Sequence, residues 1–166
     1  MSSINEIKIE KLCINIGVGE AGDKLNKAKK LLERLTGKKA VITIGKKKIP
    51  TLGVRPGLPI GVKITLRKNV DELLKRLIES KEMIINKSSF TSSGVSFGVD
   101  EYLHIPGVDY DPEIGIMGLD VTVVLEKPGY RIKKRSFKTS KVGVNQLITV
   151  EDSIKFMTEK YGVIVK

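Results

Sequence analysis

The strongest constraint on the fold is a switch of hydrophobic period along the chain. Leu119, Val121, Val123 and Leu125 fall on every second position, which predicts a strand with one buried face. Val62, Ile64 and Leu66 alternate with Lys63, Thr65 and Arg67 in the same way, and within 7–17 Leu12, Ile14 and Ile16 alternate with Lys11, Cys13 and Asn15. Between these lie helical stripes. Leu25, Ala28, Leu32 and Leu35 follow an N-cap expected at Asp23 and precede a stop at Gly37. Leu73, Leu74, Leu77 and Ile78 follow an N-cap expected at Asn69, with Asp71 and Glu72 in the first turn. A Thr149–Asp152 capping box opens a third helix that buries Ile154, Met157 and Tyr161 and ends at Gly162. Shorter strands are expected at 41–44 and 163–165, with a loop entering a strand across 88–99.

Strands with one polar face take helices on the other face only. The expected class is therefore α+β: a mostly antiparallel sheet, helices packed on one face and the other face open. The open face would carry Lys11, Asn15, Lys63, Thr65 and Arg67. Such a surface suits phosphates and 2′-hydroxyls; a merely solvated face would look the same.

At 166 residues, residues 1–166 fit one domain. A lone cysteine, Cys13, leaves no internal disulfide and fits a reducing compartment. No apolar run approaches the roughly 18 residues of a membrane span. Met1–Glu6 lacks the basic and apolar pattern of a signal peptide. A cytoplasmic protein without membrane contact is expected.

The net charge of +11 is sorted along the chain. Residues 100–126 hold seven acids and no Lys or Arg, while 131–141 hold six bases and no acid. The first sixty residues carry thirteen bases against five acids. Basic segments attract a polyanion, most often nucleic acid; an acidic segment in the same chain is free to meet something basic.

Several segments could carry that chemistry. Lys46, Lys47 and Lys48 follow a β-branched run, and are equally a solvated strand end or a set of phosphate contacts. Residues 53–61, with Arg55, Pro56 and Gly57, form a Gly- and Pro-shaped loop able to project between two strands. Residues 131–148 read as a basic flexible arm, with Arg131, Lys133, Lys134 and Arg135 as RNA-binding candidates and Phe137 interleaved among the charges. Asp109, Tyr110, Asp111 and Glu113 form an acidic loop suited to a protein contact.

Gly17–Gly22 matches G-x-G-x-x-G after a strand and before a helix, which raises a nucleotide-dependent oxidoreductase as an alternative. Lys46–Lys48 stand where an acid for a ribose hydroxyl is needed, and Glu20 and Asp23 would oppose a pyrophosphate, so a tight turn is the better reading. A generic membrane-surface or chaperone-like basic protein is a third class. His104, the single histidine, lies beside Leu103 and Ile105 and reads as structural. No Cys/His cluster has metal-ligand spacing. No active site, cofactor or metal is expected.

Taken in order, Lys11–Ala21, Leu35–Lys39, Gly45–Pro50, Pro59–Arg67, Ser96–Val99 and Tyr110–Asp120 resemble one family from about residue 5 to the C-terminus. It is the universal 5S rRNA-binding protein family of the large ribosomal subunit, ribosomal protein number five, in its archaeal or eukaryote-like form. The resemblance implies a non-catalytic constituent of the central protuberance, partnered by 5S rRNA, large-subunit rRNA and other central-protuberance proteins. It implies that Asn15, Lys38, Lys46–Lys48 and Thr65 lie on or beside 5S rRNA. Loop 53–61 would approach the elbow of P-site tRNA, with Arg55 its main charge. The stretch around Asp109–Glu113 would bridge to a basic protein of the small-subunit head. The chain departs from the family pattern with Lys38 for a frequent Gln, Gly45 for Ala and Lys68 for Gly, and with an arm less rich in Arg.

Overall fold

The computed structural model describes residues 6–20 and 22–166; the signal-peptide reading of residues 1–5, and Ala21 within the glycine motif, lie outside them. Among the described residues, eight strands and four α-helices follow one another as β1 (Lys8–Gly17), α1 (Asp23–Thr36), β2 (Val41–Ile44), β3 (Pro59–Leu66), α2 (Asp71–Glu79), β4 (Ile84–Ile85), β5 (Phe90–Thr91), β6 (Gly94–Val99), β7 (Leu119–Glu126), α3 (Arg131–Lys134), α4 (Val150–Tyr161) and β8 (Ile164–Val165). Six strands form an antiparallel sheet in the order β2-β3-β1-β7-β6-β5. The C-terminal strand pairs apart from it: β8 runs parallel to β4.

Register explains the two-faced sheet. Leu66, Leu12, Val123 and Val95 stand in one row across β3, β1, β7 and β6, and Ile64, Ile14, Val121 and Phe97 in the next. All eight are buried and join Leu25, Ala28, Leu31 and Leu32 of α1, Leu73, Leu74, Leu77 and Ile78 of α2, and Met157 and Tyr161 of α4 in one core. Burial of such side chains, at about 1.5–3 kcal/mol each, holds the three helices to this face. The α+β expectation is met.

The helix ends correct the sequence reading in part. Gly37 and Gly162 end α1 and α4 in left-handed conformations, and the Thr149–Asp152 capping box forms. At α1, however, Gly22 is the N-cap and Asp23 the first helical residue. At α2, Val70 is the N-cap, and Asn69 takes φ +53 without capping. Val70 is buried, so packing sets where this helix begins. Leu31 is buried, whereas Leu35 and Ile154 are only partly so.

Two loop readings also change. Lys46–Lys48 are not strand residues, because β2 stops at Ile44. The projecting loop spans 45–58 and not 53–61, since Pro59–Gly61 belong to β3. Its base is tied by hydrogen bonds from Gly45 N to Leu58 O (2.7 Å) and from Gly57 N to Gly45 O (2.9 Å). Inside it Ile49 bridges Val54, around a 3-10 turn at Pro50–Leu52. Gly45 is required by a close approach: a Cβ there would lie 2.8 Å from the Arg55 carbonyl oxygen.

Candidate nucleic-acid interface

The open face is built from the outward positions of the same strands. Val41, Lys63, Asn15 and Asp120 form one row across β2, β3, β1 and β7. Thr65, Cys13, Thr122 and Ser96 form the next. The Cys13 thiol and the Thr65 hydroxyl are 3.3 Å apart, and Ser96 Oγ donates to Thr122 Oγ1 at 3.1 Å. Lys11 lies further along β1, and Arg67 directly follows β3. The structure thus gathers Lys11, Asn15, Lys63, Thr65 and Arg67 on one surface. Lys63 and Arg67 are exposed, while Lys11, Asn15 and Thr65 are half-buried.

Lys38 is exposed in the turn between α1 and β2, and Lys46, Lys47 and Lys48 are exposed where the chain leaves β2. These two groups flank opposite ends of the edge strand. Arg55, Pro56 and Gly57 are exposed in the far half of loop 45–58, where Leu58 N donates to Arg55 O at 3.1 Å.

Ion pairs engage some of the cations and leave others free. On the helix side, Lys30 pairs with Glu113 (2.5 Å), Arg34 with Asp111 (3.2 Å), Lys81 with Asp100 (3.2 Å) and Lys160 with Asp71 (2.7 Å). No ion pair among the described residues engages Lys38, Lys46, Lys47, Lys48, Arg55, Lys63 or Arg67. Lys27 and Lys29 of α1, Lys75 of α2 and Lys155 of α4 are likewise outside these pairs, and Lys11 of β1 pairs with Glu10 at 3.8 Å, so it is the grouping of Lys63 and Arg67 with Asn15 and Thr65 that sets the open face apart.

The arm is tied to the sheet. Lys134 of α3 reaches Glu10 of β1 at 2.7 Å and also pairs with Glu126 of β7. Partial burial alone would raise the Glu10 carboxyl; the hydrogen bond and charge of Lys134, with Lys11 and Arg67 nearby, reverse this and hold it below its ordinary value. Burial pulls Lys134 the other way, and its two carboxylates outweigh it and raise the ammonium pKa. Lys134 is thus engaged within the chain, while Arg131, Lys133 and Arg135 remain exposed.

The acidic loop lies on the helix side, away from the open face, through its contacts with α1. Asp111 and Glu113 hold Arg34 and Lys30, and the Asp111 N–H donates to the buried Tyr102 hydroxyl at 3.1 Å. Asp109 and Tyr110 remain exposed. Asp120 was missed as a member of the open face. Its outward direction follows from the alternation of β7, but its place beside Asn15 depends on strand order.

The described residues of the glycine motif turn two of their N–H groups inward, away from any phosphate. The N–H groups of Val18 and Gly19 both donate to the Ile60 carbonyl, at 3.0 and 2.8 Å. Neighbouring strands of the main sheet are antiparallel throughout, unlike a dinucleotide-binding βαβ unit. His104 lies in a short 3-10 turn, with no group of three or more potential metal ligands among the described residues.

Comparison with known proteins shows what the whole chain is similar to. A family model described as ribosomal protein L5 matches residues 2–55, and a second, described as the C-terminus of that ribosomal protein family, matches 59–156. The large ribosomal subunit protein uL5 of Nanoarchaeum equitans is 49% identical over 162 residues, covering 96% of each chain. The protein of the same name from Sulfolobus acidocaldarius is 44% identical, covering 98% of this chain and 92% of its own. That of Methanospirillum hungatei is 39% identical over the full length of both.

Proposed function

Because this chain belongs to the ribosomal protein L5 family, we propose that its open sheet face and the lysines at the β2 edge hold 5S rRNA on the large ribosomal subunit. The family is one of structural ribosome constituents, not of enzymes. The observation that carries the finer reading is the clustering of Lys63 and Arg67 beside Asn15 and Thr65 on the open face, with Lys46, Lys47 and Lys48 at the β2 edge, all five cations lacking a carboxylate partner among the described residues. An unpaired Lys or Arg releases condensed counterions when it meets a phosphate, and this is the main source of affinity for a nucleic-acid backbone. Asn15 and Thr65 add hydrogen bonds to sugar or phosphate and fix register. With few aromatic side chains, recognition rests chiefly on the shape and backbone of the RNA.

Two further contacts belong to this reading. In it Arg55, Pro56 and Gly57, on a loop closed at its base, touch P-site tRNA, which their exposure supports. Asp109 and Tyr110, exposed on the side away from the open face, meet a basic protein of the small-subunit head. Asp111 and Glu113 support that loop from within through Arg34 and Lys30.

The test is a binding titration of the full chain against 5S rRNA and an unrelated RNA of equal length over a salt series. The expected result is a steep, log-linear loss of affinity with salt and a preference for 5S rRNA at every point. Equal affinity for both RNAs at every ionic strength would overturn the reading.

A further inference from the structure

We propose that Phe137 stacks on an unpaired base of the bound ribosomal RNA, presented by an arm loop already shaped in the free chain. The proposal rests on the RNA-binding reading above and names a contact which that reading does not contain.

Phe137 is 75% exposed, more than Tyr110 at 56%. A single exposed apolar side chain needs no explanation by itself. What singles this one out is the backbone that presents it. Arg135 Nε donates to the Lys138 carbonyl at 2.7 Å, closing a tight turn around Ser136 and Phe137. Ser140 N donates to Ile132 O at 3.2 Å and returns the chain to the end of α3. Lys138 adopts φ +51 to complete the turn, a conformation unfavourable for a residue with a Cβ. At the root, Lys134 is held by Glu10 and Glu126 of the sheet. The segment is therefore anchored at one end and pinned across its tip by its own guanidinium.

The surroundings of the ring select its partner. The Lys138 ammonium sits over the ring 5.5 Å from its centroid, and the side chain beneath it is three-quarters exposed to a partner. Arg131, Lys133, Arg135, Lys138 and Lys141 share the segment with no acid among them. Lys133, Thr139, Ser140 and Lys141 also line an open hollow of about 460 Å³ in the same loop, supplying cations and hydroxyls suited to a sugar–phosphate. An aromatic platform within a basic groove is how proteins hold unpaired nucleotides, because every base offers a flat face while cations follow the backbone. An apolar pocket on a protein would bury the ring, but it gains nothing from a ring of cations beside it.

The test uses the full-length chain with purified 5S rRNA and large-subunit rRNA. Phe137→Ala, Phe137→Leu, Phe137→Trp and Lys138→Ala are titrated at several salt concentrations. Phe137 is exposed, so its replacement leaves folding intact. Expected is a loss of about tenfold in affinity for at least one RNA with Phe137→Ala and Phe137→Leu, with an unchanged salt slope, since stacking releases no counterion. Phe137→Trp retains affinity and its fluorescence is quenched by that RNA. Lys138→Ala lowers the slope. If wild-type affinity persists in Phe137→Ala, or Leu substitutes fully for Phe, stacking is overturned while RNA binding stands. If the wild type binds neither RNA, both readings fall together.

Discussion

Replacing Lys46, Lys47 and Lys48 together with alanine isolates the electrostatic part of the interface. All three are exposed, lie outside β2, and have no carboxylate partner among the described residues. Each that neutralises one phosphate adds about 0.7–0.9 to the slope of log affinity against log salt, so three contribute roughly 2–2.7. Over a fourfold change, from about 50 to 200 mM salt, the wild type should lose about 20–40 times more affinity than the triple variant. Fluorescence anisotropy with labelled 5S rRNA reads both slopes, and urea unfolding checks that stability is unchanged. Lys30→Ala with Arg34→Ala is the control, because those cations already hold Glu113 and Asp111 on the helix side. Its slope should match the wild type. A triple variant with the wild-type slope, or a control with the variant's slope, would refute the assignment of these lysines to phosphate.

Two other outcomes follow from the packing. Tyr161 donates to Asp71 Oδ1 at 2.6 Å, joining α4 to α2. The hydrogen bonds of Lys160 and then Tyr161 lower the Asp71 pKa. This stabilisation is complete above the unfolded value of about 3.9 and is lost as the pH falls through the lower folded value. Tyr161→Phe should cost about 1 kcal/mol in urea unfolding at neutral pH, below the usual range for a charged partner because Asp71 is largely exposed, and the gap should narrow as the pH falls below about 3.9; a gap that stays constant through that fall would count against the link. Gly45→Ala would bring a Cβ to 2.8 Å from Arg55 O and 2.9 Å from Val54 Cγ1. Amide signals of Val54, Arg55 and Gly57 should move and stability should drop by about 1–3 kcal/mol; shifts limited to the immediate neighbours of residue 45, with stability unchanged, would show that the loop base tolerates the methyl.

Much of this architecture was legible because period is a local signal. The alternations at 12–16, 62–66 and 119–125 and the stripe at 73–78 gave strands, helix and core together, since every second or fourth residue answers to one buried face. The family was legible from long motifs in fixed order. Helix starts were less so: an Asp or Asn before a stripe caps only if its backbone is extended, and Asn69 is left-handed, with the buried Val70 taking the cap position after it. The extent of the loop was hidden because its boundary is a pair of hydrogen bonds between Gly45 and residues 57 and 58. Charge pairing was hidden most of all. Arg34 and Asp111 are 77 positions apart, so their mutual neutralisation cannot be read from runs of like charge. For the same reason Lys134, one of six bases in the arm, could not be told from its neighbours, although it is the one anchored to the sheet.

The Ile60 carbonyl, which accepts from both Val18 and Gly19, sits at the joint between the β1–α1 turn and the strand leading out of the loop. Those two bonds fasten the first residues of β3 to the end of β1, so loop 45–58 leaves its closed base directly into a strand that is fixed on both sides, by β1 and by β2.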